Sequence, residues 1–168
     1  MNESDEVYDI VDADDKVVGR ASRAEIHAKG LLHRSVHIMV FNPRGDLFLQ
    51  KRAPAKDENP GLWDTSSAGH VDSGEDYAAA AHRELKEELG IAGDLHPLIT
   101  FRACRETCWE HVAVFSCTTS KTITINPLEI SEGRYWTLGE IQGLLSRDPG
   151  QFTSSFKLIF FNYLKENN

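Results

Sequence analysis

The sequence predicts an α/β (α+β) fold in which a sheet packs against helices. Three observations predict it: apolar strand segments on both sides of the middle of the chain, an Ala-, Glu- and Lys-rich run from Glu75 to Leu89 between them, and two helical patterns near the C-terminal end. At 168 residues the chain has the size of one domain and can bury a core without disulfides, so residues 1–168 are read as a single domain.

Taken in order, Tyr8–Val11 and Val17-Val18 flank the turn-rich Asp12-Ala13-Asp14-Asp15 and predict a short hairpin. Ser22 precedes Glu25 by three, the spacing of a capping box, so a helix is expected from Arg23 to Lys29, stopped by Gly30. Ser35–Phe41 and Leu47–Arg52 are apolar strands joined by Asn42-Pro43-Arg44-Gly45-Asp46, the clearest hairpin in the chain. Pro54, Pro60 and Gly61 make residues 53 to 62 a loop. The run from Glu75 to Leu89 favours helix and Gly90 ends it. Strands are expected again at Leu98–Ala103, His111–Thr118 and Thr122–Ile125, with another ending at Trp136. Leu138–Ser146 and Ser154–Glu166 predict two closing helices, the second burying Phe156, Ile159, Phe160, Tyr163 and Leu164 along one face.

Bulk properties exclude several classes. Hydrophobic residues make up 40% and charged residues 26%, the composition of a soluble globular protein. The acidic stretch Met1–Asp15 lacks the pattern of a secretory signal and no run is long enough to span a membrane, so a cytoplasmic location is expected. Cys104, Cys108 and Cys117 have neither zinc-site spacing nor disulfide density and are expected as reduced thiols in or beside strands. The net charge of −8 argues against nucleic acid as a partner. Its distribution is uneven: residues 20–56 hold eight Lys or Arg against Glu25 and Asp46, a net +6, which leaves −14 elsewhere. Such a division suits an anionic small molecule held by basic side chains on one side and by metal on the other.

The chemistry-bearing segment is the helix from Glu75. Glu84, Glu87 and Glu88 stand at i, i+3 and i+4, which clusters three carboxylates, while Leu85 and Leu89 turn toward the core. Like charges this close repel, and a divalent cation turns the repulsion into coordination. An all-oxygen ligand set suits Mg²⁺ or Mn²⁺, ions that ordinarily share their shell with substrate phosphate. Exposed helices often carry Glu and Lys with no such role, but the surrounding residues exclude that explanation. Gly69, Glu75, Arg83, Glu84, Leu85, Glu87, Glu88, Gly90 and Ile91 match all nine specified positions of the Nudix box.

The chain thus resembles the Nudix hydrolase superfamily over at least residues 35–140, with the hairpin and helix of residues 1–34 as an extension. The resemblance implies an α/β/α sandwich with a mixed central sheet, and Mg²⁺- (or Mn²⁺-) dependent cleavage of a diphosphate linkage in a nucleoside diphosphate derivative or related small molecule. It implies that Glu84, Glu87 and Glu88 bind the ion with the backbone carbonyl of Gly69, and that Glu75 and Arg83 pair to hold the loop against the helix. The general base is left open among the box glutamates, Glu110, Glu129 and Glu132. Arg34, Lys51, Arg52 and Lys56 are candidates for phosphate contacts, and Trp63 and Trp109 for stacking on a base. Both monomer and homodimer are open.

A narrower likeness lies outside the box. Asp9-Ile10-Val11-Asp12, Val17-Val18-Gly19, Gly30–Arg34, Leu49–Ala53 and Pro60–Asp64 resemble the isopentenyl-diphosphate isomerase branch of the superfamily. That branch implies a rival activity, an allylic proton shift by a cysteine placed before a Gly-His or Ser-His pair. Here Ala68 precedes Gly69-His70, and alanine cannot carry a proton. His33, His70 and Glu110, with His27 nearby, fall where the isomerase metal site draws ligands and form a second candidate metal site. The expected activity is therefore hydrolysis, against isomerisation or a non-catalytic ligand-sensing domain.

Overall fold

The computed structural model describes residues 5–168, and the first four residues of the acidic N-terminal stretch lie outside the described residues. Two strands, β1 (Val7–Val11) and β2 (Val17–Ser22), pair antiparallel and lead into helix α1 (Arg23–Lys29). Ser22 caps α1 by accepting from the Glu25 backbone N–H, and Gly30 closes it in the left-handed conformation. The Glu25 side chain pairs with Lys29 rather than reaching back.

The main sheet is mixed and seven-stranded, in the order β5-β4-β3-β8-β7 with β6 joined to β3 and β9 to β4. β3 (His33–Phe41) lies at its centre, parallel to β8 (Glu110–Thr118) and antiparallel to β6 (Ser67–His70). β7 (His96–Phe101) closes one side against β8, while β4 (Leu47–Arg52) pairs with β9 (Ile130–Trp136) and with the two-residue β5 (Trp63–Asp64).

The expected hairpin of β3 and β4 is a hairpin only at its mouth, where Phe41 pairs with Leu47. Beyond that pair the strands separate, β3 toward β6 and β8, β4 toward β9. Ser66 bridges the gap, its hydroxyl accepting from the Val40 N–H and donating to the Phe48 carbonyl, so buried backbone groups stay satisfied without a ladder. Opening the sheet here admits side chains from the helix above it.

Alternation along the central strands sorts residues into two cores. Val36, Ile38 and Val40 of β3 with Ala113 and Phe115 of β8 face α2 (Tyr77–Leu89), which contributes Ala80, Ala81, Leu85 and Leu89. Met39, Val112 and Val114 face the other way, onto α3 (Leu138–Arg147) and α4 (Ser154–Glu166) through Ile141, Phe156, Ile159 and Phe160. Helices thus cover both faces of the sheet, the α/β/α arrangement expected from the sequence.

Strand edges shift, by two residues at β7, expected over Leu98–Ala103, and two further differences bear on the site. α2 begins at Tyr77, two residues after Glu75, because Asp76 caps it by accepting from the Ala79 N–H. Thr122–Ile125 is not a strand: the Thr124 N–H donates to the Leu89 carbonyl and the Asn126 N–H to that of Glu88, so the segment satisfies the end of α2 and the strand follows at Ile130.

The N-terminal extension is bonded to the loop before α2. Asp9 accepts from Ser73 Oγ at 2.7 Å and from the Gly74 N–H, and Asp15 accepts from Tyr77 Oη at 2.8 Å. Among the described residues no helix is long and apolar enough to cross a membrane.

Candidate active site

A cleft of about 330 Å³ opens where the sheet divides, bounded by α2, the N-terminal ends of β3 and β8, the 53–62 loop and the extension. Its lining is overwhelmingly polar, with Tyr8, Ala68 and Cys108 among its few weakly polar members.

Glu88 reaches through the division of the sheet and is 4% exposed. Its Oε1 accepts from Ser67 Oγ at 2.9 Å and the Ala68 N–H at 2.8 Å, and its Oε2 accepts from Gln50 Nε2 at 3.2 Å. Burial pushes its pKa up to about 7 in spite of those donors. Glu84 is also largely buried, and its pKa is raised well above the ordinary carboxylate value by burial and then by the neighbouring Glu88. Glu87 is exposed, with a carboxylate oxygen 3.3 Å from Arg83 Nη1. The three glutamates therefore do not share one solvent face: two turn inward with Leu85 and Leu89, and the third stands at the rim.

Gly69 makes room for Glu84. A Cβ at residue 69 would lie 2.1 Å from Glu84 Oε1, so no larger residue fits beneath that carboxylate. Arg83 holds the loop and helix together, donating through Nε and Nη2 to the two oxygens of Glu75 at 2.8 and 2.9 Å, and through Nη2 to the His70 carbonyl at 3.0 Å. Arg83 Nη1 donates to Glu84 at 2.8 Å. Buried like-charged carboxylates with an all-oxygen donor set, packed onto a glycine, fit a hard divalent cation.

A second polar group faces the cleft from the extension side. Glu110 Oε1 lies 2.8 Å from His70 Nε2 and 3.2 Å from His33 Nε2. Burial alone would raise the Glu110 pKa, but His70 and His33 outweigh it and hold the carboxyl well below its usual range. His33 Nδ1 faces the Leu31 carbonyl at 3.0 Å and carries a proton there, while Nε2 is buried beside Glu110; burial alone would lower the His33 pKa, but Glu110 outweighs it and raises it. Ligand atoms of His27, His33 and His70 lie within 4.8 Å of one another, as do those of Glu58, His70 and Glu110. The first set offers three ring nitrogens and the second one ring nitrogen with two carboxylates, donors that suit Zn²⁺ or Mn²⁺.

Of the basic candidates, Arg52 and Lys56 line the cleft. Arg52 Nε donates to the Glu58 carbonyl and Lys56 pairs with Glu129. Arg34 and Lys51 are not among the lining residues. The Arg34 guanidinium is committed to Asp15 and lies over the Tyr77 ring, and Lys51 lies over Trp63. Trp63 is core, edge-on to Trp136, and Trp109 is exposed away from the cleft lining, so neither tryptophan borders it. Glu110 and Glu129 line the cleft, whereas Glu132 lies exposed on β9 outside it. Cys117 is buried in a strand as expected, but Cys108 is exposed on the loop before β8 and borders the cleft.

Sequence reasoning passed over Ser35, Gln50, His37, Glu58, Asp64 and Ser67. The alternation His33, Ser35, His37 within an otherwise apolar strand was the available signal of a polar face on β3. Gln50 and Ser67 carry no such signal, because their role depends on Glu88 entering from another layer.

The family model for the NUDIX domain matches residues 31–156, and the chain belongs to the Nudix family. It is 38% identical over 162 residues to an "Isopentenyl-diphosphate Delta-isomerase 2" of Photorhabdus laumondii, covering 92% of this chain and 90% of that protein. It is also 38% identical over 130 residues to an "Uncharacterized Nudix hydrolase" of Yersinia pestis, covering 76% of this chain and 70% of that protein. A crystal structure of a Deinococcus radiodurans protein superposes with a TM-score of 0.74 at 29% identity, covering 85% of this chain and 90% of that one. At the level of the family, the activity is hydrolysis of pyrophosphate-type linkages with divalent metal ions.

Proposed function

We propose that this chain hydrolyses a diphosphate linkage in a small molecule, with Mg²⁺ or Mn²⁺ held by Glu84, Glu87, Glu88 and the Gly69 carbonyl. The observation that carries this reading is the burial of Glu84 and Glu88 side by side against Gly69, with both acids raised. Two inward carboxylates oppose each other unless positive charge lies between them and a substrate phosphate. A divalent cation bound there supplies polarisation of the phosphoryl oxygen and a more acidic water. Ser67, the Ala68 N–H and Gln50 hold Glu88 in one orientation, and Arg83 holds Glu84 while fixing the loop that carries Gly69. Arg52 and Lys56, which line the cleft, supply positive charge for the phosphate. Exposed Glu87, or Glu110 or Glu129 on the cleft lining, takes the proton from water.

Two features weigh against isomerisation, the activity named for the Photorhabdus relative. Ala68 stands before Gly69-His70 and has no transferable proton. The cleft also lacks the apolar wall that an isoprenyl chain would need. His27, His33, His70, Glu58 and Glu110 form the second proposed metal site, favoured by the convergence of their ligand atoms.

The test is a panel of nucleoside diphosphate derivatives and isopentenyl diphosphate with Mg²⁺, scored for phosphate or nucleotide release and for double-bond migration. Metal-dependent release without migration is expected. Migration alone would replace the reading with isomerisation, and binding without turnover would make the chain a sensing domain.

A further inference from the structure

The polar floor of the cleft contains two side chains that neither the carboxylates nor the histidine cluster uses. Ser35 and His37 are two apart on β3 and project to the same face, above Met39, where that face passes from core to cleft. Ser35 is 3% exposed, and its hydroxyl has no hydrogen-bond partner among the described residues. His37 is 5% exposed and its ring orientation is fixed. Nδ1 lies 2.7 Å from Thr65 Oγ1, whose own proton goes to the Ser67 carbonyl, and 3.7 Å from Asp64 Oδ1. Both neighbours are acceptors, so Nδ1 carries the hydrogen. Burial lowers the His37 pKa and keeps the ring neutral, which leaves Nε2 a lone pair that makes no hydrogen bond among the described residues.

We infer that Ser35 and His37 form a recognition subsite for a sugar-like hydroxyl, or a vicinal pair of them, on the non-phosphate part of the substrate. A lone pair repels phosphate oxygens, which are themselves acceptors, so His37 does not serve the diphosphate. A hydroxyl can donate to His37 Nε2 and accept from Ser35 Oγ, whereas an ammonium group can only donate. A hydrocarbon chain laid over the pair would leave Ser35 buried and unpaired. The inference deepens the reading of the cleft as a diphosphate-cleaving site and rests on it.

The test compares ADP-ribose, which carries sugar hydroxyls on both sides of its diphosphate, with methyl diphosphate, which carries none. For Ser35→Ala and His37→Leu, kcat/KM with Mg²⁺ should fall at least tenfold more on ADP-ribose than on methyl diphosphate, mostly through KM. Ser35→Ala adds no volume and leaves no new unpaired group, so it serves if His37→Leu does not fold. Calorimetric binding of ADP-ribose without Mg²⁺ is measured in parallel. If wild type binds it, Ser35→Ala weakens binding tenfold and nothing is cleaved, hydrolysis fails while the subsite stands. Equal losses on the two substrates, unchanged kinetics, or no binding of ADP-ribose to wild type would each overturn the subsite.

Discussion

Gly69 and Glu88 show how much of the site depends on single side chains. Because a Cβ at residue 69 would fall 2.1 Å from Glu84 Oε1, Gly69→Ala must push that carboxylate aside or lift β6. Titration of Mg²⁺ should show a loss of affinity of about 10–100-fold, and unchanged affinity would mean that Glu84 does not ligate. Glu88→Gln removes a charge from a buried position but keeps the side chain's shape. Its kcat should fall about a hundredfold or more, since a metal contact to the reacting phosphoryl group contributes several kcal/mol. In EDTA the same variant should melt no lower than wild type, because a raised acid contributes no stability by being ionised. Wild-type activity in Glu88→Gln or Glu87→Gln would remove the metal role. At this scale the glutamates, Gly69 and Arg83 were legible, because the box is a local pattern with fixed spacing. Arg34 and Lys51 lie off the cleft lining for the opposite reason: positive charge in sequence does not say which carboxylate or ring will claim it, and Asp15 and Trp63 do so here.

Among the elements, α2 is the one whose placement decides the chemistry, and Arg83 is what fastens it to β6 and to the preceding loop. Glu75, Glu84, Glu87, Asp72 and the His70 carbonyl surround one guanidinium. Truncation by Arg83→Ala leaves Glu75 and Glu84 without their counter-charge and should cost about 2–3 kcal/mol. For a chain of this length that lowers Tm by about 5–10 °C in thermal unfolding. Arg83→Lys should recover little of it, because one ammonium cannot serve two carboxylate oxygens and a carbonyl in the geometry of the fork. A variant that melts with wild type would show the bonds to be incidental. Helix ends were legible to within two residues, since Gly30, Gly90 and the capping side chains act on their own neighbours. The separation of β3 from β4 was not, because each strand's choice of partner is made by β8, β6 and β9, far away in the chain.

For the molecule as a whole, the raised acids link stability, pH and metal. A folded-state pKa of about 7 for Glu88 lies above its ordinary value, so its protonated form favours the folded chain, and this contribution is lost as pH rises between the ordinary carboxylate range and about 7. Glu84 acts in the same direction, and Glu110, held low by its histidines, acts oppositely but only below the ordinary carboxylate range. Mg²⁺ competes with protons for the same oxygens, so the rise in Tm on replacing EDTA with Mg²⁺ should be larger at pH 8 than at pH 5.5. A metal-induced rise that is equal at both values would contradict the raised acids.

By itself the sequence determined the helices, the strand alternation, the nine-position box and hence the family, because each of these is a short-range relation between neighbours along the chain. Only the tertiary structure decided that two of three glutamates turn inward through a divided sheet, that the extension is bonded to the box loop, and that Ser35 and His37 open onto the cleft. Those outcomes depend on which distant segments exclude water from one another, and residue spacing carries no record of that.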